Sequence, residues 1–482
     1  MANLLSSLIS SSNALSAYDE VLKVTQNNVV NASTPGWAKQ TLPLVAQQVD
    51  LQFGSYGGVT TGKLQSSRSE YAEQAVREQN SGLGKDQQLV NSLNSLQSLF
   101  DISGNTGIPY ALNQFFGSVS AWGQDPTNQA ARQTVVSEAS SVAQTFQTAA
   151  TGLQRLAQDT QTQINSTVDQ VNSLVSQLQA FNHQILKTGS GTQDPGMDAQ
   201  IHATLETLSQ YVNFSASQQS DGTTTILING NTPLLIGDHQ YTVSASLQGA
   251  STSAPYPNAP PTVRLSVSNG ADITSGTTDG QLGALVNMSN QILPSYLGDG
   301  NQAGGLNILA KQFADRVNQL LTSGNISDGP PPVPGVPLFQ YDTTNDTNVA
   351  TTLTVDPTVT PDQLAAISPG PPYVSNGVPL AISQLATPSN SADEIDGLSY
   401  TEYYGNMASA IGSQLQNAQG GLQVQQSLLA QAQNQRQQIS GVDINEEAMV
   451  VVEFQRAYEA NSKLITVLDQ LTEDTINILP SA

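Results

Sequence analysis

The chain contains no cysteine. That excludes disulfides, thiolate metal sites and cysteine nucleophiles, and leaves packing alone to hold the fold. Charged residues are 11% of the 482 and aromatics 5%, both low. Positive charge is scarcest: 15 Lys and Arg stand against 38 Asp and Glu, a formal net charge of −23. Phosphate binding needs clustered Lys and Arg, so nucleic acid is not expected as a partner. No basic amphipathic segment suits a membrane surface. No run of about 18 or more apolar residues occurs, so no membrane insertion is expected. No basic segment followed by an apolar core opens the chain, so no cleaved secretory signal is expected either.

Catalytic and metal patterns are also missing. His183, His202 and His239 show no HExxH or paired-ligand spacing, and read as solvated or capping residues. Asp101-Ile102-Ser103-Gly104-Asn105 opens like a calcium loop, but Leu112 stands where the closing Glu belongs. There is no Walker loop, nucleophile elbow or dinucleotide fingerprint. Asp443, Glu446 and Glu447 sit at a helix start, where carboxylates complement the dipole. The expectation is a chain with no enzymatic activity, no cofactor and no metal.

What is present is helical periodicity. Leu4, Leu8, Ser11, Leu15, Tyr18, Leu22, Thr25, Val29 and Ala32 recur in alternating steps of four and three. So do Val450, Phe454, Ala457, Asn461, Leu464, Leu468, Leu471, Thr475 and Ile478. Two seam-like stripes therefore lie at opposite ends of the chain, and each must be buried against something. Burial within the chain and burial against other copies both satisfy that need. Asn461 and Thr475 interrupt the second stripe. They either set its register or lie on the surface beside it.

Between the ends, residues 3–30 predict a helix of ~42 Å, stopped by Asn31-Ala32-Ser33-Thr34-Pro35-Gly36-Trp37. An extended stretch follows from Gln40 to Val59. Helices are predicted over 70–100, 111–122 and 129–187, the last approaching ~85 Å, and over 198–211. Period-two alternation with Asn229-Gly230 and Asn269-Gly270 turns then predicts strands. Helices return over 281–297, 306–321, 400–439 and 442–479, the last closed by Pro480. The expected fold is mainly α with inserted β, an elongated, nested multi-domain protein with coiled-coil-like terminal helices. Residues 1–69 and 440–482 form a terminal helical domain. Residues 70–211, 276–325 and 396–439 form a long-helix bundle. Residues 212–275 form a small β domain, and 326–395 a Pro-rich insertion or second β subdomain.

Asn27 to Trp37 resembles the N-terminal signature of the bacterial flagellar rod, hook and hook-associated protein family. Val442 to Met449 and Phe454-Gln455-Arg456-Ala457-Tyr458-Glu459-Ala460-Asn461 resemble its C-terminal signature. Leu99-Phe100, Ala111 to Phe116, Asp125-Pro126, Ala130 to Gln133 and Val168 to Asn172 are similar to the hook-associated protein 1 branch. So is Leu208 to Val212 ahead of Asp221-Gly222. Trp37 replaces a more usual Tyr or Phe, and Ile201-His202 replace a common Arg-Asp pair. The motif positions carried over are Asn31, Pro35, Gly36, Trp37, Phe454, Gln455, Tyr458 and Asn461.

The resemblance implies a structural subunit, exported without a cleaved signal by the flagellar type III apparatus. It would lie outside the cell, at the junction of hook and filament. Its implied partners are copies of itself in a ring, the hook protein, the next hook-associated junction protein and an export chaperone. The expected assembly interface is Leu8, Leu15, Leu22 and Val29 with Phe454, Leu464, Leu468, Leu471 and Ile478. A hook or rod subunit is the nearest alternative. A type III-exported helical effector or adhesin is the alternative of another class.

Overall fold

The structure, a computed structural model, describes residues 2–50, 55–100, 105–189 and 194–478. The calcium-like start at 101–104 and Pro480 lie outside the described residues. Helix α1, Ala2–Asn31, has no internal Gly or Pro. Strands β1 (Gln40–Thr41), β2 (Leu44–Asp50), β3 (Ser55–Thr61) and β4 (Gln65–Ser66) follow, with β2 antiparallel to β3 and β1 to β4. This ribbon lies along α1. Ser10 Oγ donates to the Gly57 carbonyl at 3.2 Å, and Thr61 Oγ1 to Glu20 at 2.7 Å.

Helix α2, Glu70–Gln97, starts at a Ser69 cap, and α3 spans Gly107–Gln124. Helix α4, Gln129–Thr188, has 60 residues, ~90 Å at 1.5 Å each. Asn128 caps its start by accepting from the Ala131 N–H. Gly189 ends it at φ +65°, donating to the Ile185 carbonyl. Asp194 caps α5, Pro195–Tyr211.

Strands β5 (Ser215–Gln218), β6 (Thr224–Ile228), β7 (Thr232–Ile236) and β8 (His239–Gln240) form one antiparallel sheet in that order. Asn229 and Gly230 both take positive φ at the centre of the turn closed by the Asn231 N–H on the Ile228 carbonyl, between β6 and β7. Strands β9 (Val243–Gln248) and β10 (Thr262–Val267) pair separately. Helix α6 (Gly280–Asn287), a π turn at Met288–Ile292, α7 (Pro294–Leu297) and α8 (Gly305–Ser323) return to the body.

The Pro-rich stretch holds β11 (Asn325–Ser327), β12 (Val333–Pro334), β13 (Phe339–Gln340), α9 (Val349–Thr352), β14 (Thr354–Val355) and α10 (Gly377–Gln384). Its strands make only two-stranded pairs. A reciprocal Ser399–Glu402 cap opens α11, Tyr400–Ser440, and α12 runs from Ile444 to Ile478.

The apolar side chains gather into two cores. The first joins α2, α3, the front of α4, α8 and the front of α11, around Phe115, Phe313 and Tyr404. Leu338, Phe339, Leu353, Leu364 and Ile382 of the Pro-rich stretch belong to it. That stretch therefore has no core of its own, because strands of two or three residues have no face to bury separately. The second core joins Ile164 to Ile185 of α4 with α5, α6, β6, β7, β9 and β10. The bundle expected as one unit is thus divided at about 157–164, and its second half packs on the β strands. Helix α4 is the beam through both. No described helix is long and apolar enough to cross a membrane.

Candidate assembly surface

Helices α1 and α12 pack against each other. Tyr18 and Phe454 meet with ring centroids 5.7 Å apart, and the Asn461 side chain donates to the Ser11 carbonyl at 2.8 Å. Asn461 therefore faces α1 and is a seam residue, not a misplaced surface position. Thr475 turns its hydroxyl onto its own helix, at the Leu471 carbonyl.

The expected stripe is only partly the inner one. Leu8, Leu15, Leu22, Phe454 and Leu468 are half-buried. Leu464 and Leu471 are 50% and 48% exposed, and Val29 is 37% exposed. Ile465 and Thr472 take the half-buried positions beside Leu464 and Leu471. At Val29 the inner position goes to Asn28, which bonds both backbone groups of Gln40 and the Glu447 carboxylate at 3.1 Å. Alternation of four and three cannot choose between adjacent residues when both are apolar, and a polar residue with three fixed partners outcompetes a valine. The Ile478 side chain lies outside those described.

Leu464 and Leu471 belong to a second stripe. At 3.6 residues per turn, Met449, Val452, Arg456, Ala460, Leu464, Val467 and Leu471 share one face, displaced roughly a third of a turn from the α1 seam. All seven are exposed. On α1, Leu5, Ile9 and Val30 are exposed as well. The two helices thus bury one stripe in each other and leave another uncovered.

The signature residues lie where this pair meets the body. Asn31 donates to Asn27 through its amide nitrogen and accepts from the Thr34 hydroxyl through its amide oxygen, closing α1. Pro35 is exposed. Gly36, at φ +75°, rests so closely on α5 that a Cβ would stand 2.1 Å from the Ala199 carbonyl oxygen. Trp37 is half-buried, and its Nε1 is buried without a hydrogen-bond partner. Gln455 and Tyr458 are exposed. Lys39 reaches Glu446 at 2.9 Å and Glu447 at 3.3 Å. Burial pulls its pKa down, but these carboxylates outweigh that and raise it above the ordinary lysine value.

Beneath the pair is a charge network that the sequence reading missed. Arg68 donates to Asp198 (Nε, 2.9 Å), Glu73 (2.6 Å) and the Gly36 carbonyl (2.6 Å). Arg436 reaches Glu73 at 3.1 Å and Glu206 at 2.6 Å. These residues are scattered from 36 to 436, so no local spacing could reveal them. His202 is buried among them, not solvated. Burial first, then the Arg68, Arg77 and Arg436 charges, push its pKa down to about 2. Its imidazole is therefore neutral, and its 3.6 Å approaches to Glu70 and Asp198 are contacts rather than ion pairs. His183 and His239 are exposed.

A cleft of about 440 Å³ lies where the two cores meet, between α4, β9 and α7, lined by Ala157, Leu247, Pro261 and Leu293 among others. It holds no titratable side chain. Among the described residues no group of three His, Asp or Glu is placed to hold a metal.

The family model described as the flagellar hook-associated protein FlgK helical domain matches residues 93–339, more than half of the chain. The chain belongs to the FlgK family of flagellar hook-associated proteins. A second model, the flagellar basal body rod FlgEFG protein C-terminal, matches residues 433–478, which contain α12. The flagellar hook-associated protein 1 of Bacillus subtilis (strain 168) is 25% identical over 496 residues, covering 96% of each chain. The flagellar hook junction protein FlgK from Burkholderia pseudomallei shares the fold, with a TM-score of 0.62 and 16% identity. That match covers 77% of this chain and 100% of the other. Family membership makes the chain a structural component of the flagellum that interacts with the hook and other flagellar parts. The mainly α architecture with inserted β, expected from the periodicity, agrees with that fold.

Proposed function

We propose that the chain is a structural subunit joining flagellar hook to filament, assembled through the outward stripe of its terminal pair. The observation that carries this is the exposed row Met449, Val452, Leu464, Val467 and Leu471 on a helix whose inner face is already occupied by α1. A row of that length in one line is an interaction surface by its chemistry. The occupant is another copy, so the subunits form a ring whose terminal pairs line its inside. The hook protein lies below, and the next hook-associated protein above. The subunit is not an enzyme. It reaches the outside of the cell unfolded, through the flagellar export route without a cleaved signal, and an export chaperone covers the stripe before assembly.

Leu464→Asp with Leu471→Asp tests this reading, because both side chains are exposed and the monomer keeps its α1 seam. The expected result is a folded, exported protein that fails to join isolated hooks, leaving hooks without filaments. Normal joining by the double variant overturns it.

A further inference from the structure

Among the described residues, two adjoining sets of contacts attach the terminal pair to the body. The first is a knot of backbone bonds at the end of α11. The Lys39 N–H donates to the Ser440 carbonyl at 2.8 Å, and the Ser67 N–H to the Lys39 carbonyl. Ser440 Oγ donates to the Ser67 carbonyl and accepts from the Ser69 N–H. One such knot is a pivot, about which two joined bodies can still rotate. The second set is on α5, where the loop after α1 rests Gly36 against Ala199. Arg68 ties that contact down: its guanidinium holds Gly36 of the loop, Glu73 of α2 and Asp198 of α5 at once. The Arg68 side chain is 6% exposed and that of Glu73 is 4% exposed. These bonds are therefore little screened by solvent or salt.

We infer that Arg68 is a positioning residue, whose three-way fork sets the angle at which the α1–α12 pair leaves the body. The planar guanidinium suits this because its donors point in fixed, divergent directions, whereas an ammonium acts as a point charge. The inference rests on reading the pair as the assembly surface only in what the angle serves. In a ring, a stripe presented at a variable angle meets its neighbour poorly, and a fixed angle removes that ordering cost before contact. Loss of Arg68 does not strand a buried charge at Glu73, since Arg436 also holds that carboxylate. The body should therefore survive the substitution while the angle does not.

The test uses the full-length monomer and exploits the absence of cysteine. Spin labels are placed at Thr207→Cys on α5 and Ala460→Cys on α12, both exposed positions. A control pair sits at Ser12→Cys and Ser462→Cys within the terminal pair, also exposed. The parent protein should give a single narrow distance peak for each pair of labels. Arg68→Met should lose the narrow 207–460 peak and keep the 12–462 peak. Arg68→Lys, which keeps the charge but not the fork, should lose it too. It takes over as the deciding variant if the Met form no longer unfolds cooperatively. A folded variant that keeps the narrow 207–460 peak overturns the inference. So does broadening of both pairs, which would mean that the helices separate rather than tilt. No ring or hook takes part in these measurements, so their outcome is distinct from that of the joining assay.

Discussion

The Asn461 side-chain amide donates a hydrogen bond of 2.8 Å to the backbone carbonyl of Ser11, 450 positions earlier in the chain. It is a polar bond inside an otherwise mostly apolar seam, beside the Tyr18–Phe454 contact. A polar group in such a place costs stability relative to a hydrocarbon but admits one alignment of the two helices.

Asn461→Ala removes that bond and leaves no new partner. The terminal pair should lose roughly 0.5–1.5 kcal/mol, read as faster local amide exchange in α1 and α12 with α4 unchanged. Asn461→Leu should cost less stability but relax the register. Disulfide trapping between cysteines scanned along both helices would show this as several alignments in place of one. A single alignment in the Leu variant would rule out the register role.

Gly36→Ala should destabilise the joint from two sources. An L-residue at φ +75° costs roughly 1–2 kcal/mol, and the new methyl meets the Ala199 carbonyl. Because that contact is with backbone, it cannot be relieved by a rotamer change. Thermal unfolding should show a loss of more than about 1 kcal/mol. An unchanged melting curve would contradict the docking of this loop on α5.

His202 predicts the acid limb of stability. Folded, it stays neutral down to about pH 2. Unfolded, it takes a proton near pH 6.5. Its effect is thus absent above about pH 6.5, and stability falls as the pH drops from there towards 2. The slope from this one group is about 1.4 kcal/mol per pH unit. His202→Gln should flatten that limb by one proton in a plot of unfolding free energy against pH. Parallel curves for the two proteins would refute the assignment.

Exchange of the free subunit should be uneven. Beyond Glu447 no described side chain of α12 is buried, whereas α4 buries residues from Val135 to Ile185. Opening the terminal pair therefore costs far less than opening the beam. Amides of 2–31 and 448–478 should exchange well before those of 135–185 in the isolated monomer. Protection comparable to α4 would show that the pair is stable without neighbours.

The helices were largely legible because their signal is local. Periodicity, the absence of internal Pro and the Asp125 to Asn128 start signal place α1, α4 and α11 to within a few residues, although α4 carries Gly152 and α11 four glycines. The Asn229-Gly230 turn was legible for the same reason, since only a few residue types accept two consecutive positive φ angles. The Pro-rich stretch was not, because its apolar residues follow no period and find their place in a core built by other elements.

By itself, the sequence determined that two amphipathic helices stand at the ends of the chain and that a very long helix runs between them. Those properties depend on residues within a few turns of one another. Only the tertiary structure decided which stripe faces inward. It assigned Ile465 and Asn28 to the inside and Leu464 and Val29 to the outside, by packing against α1 and by the bonds to Gln40 and Glu447. It alone brought Gly36, Arg68, Glu73, Asp198, Glu206 and Arg436 together. Charges that far apart in the chain interact only once folding removes the water between them.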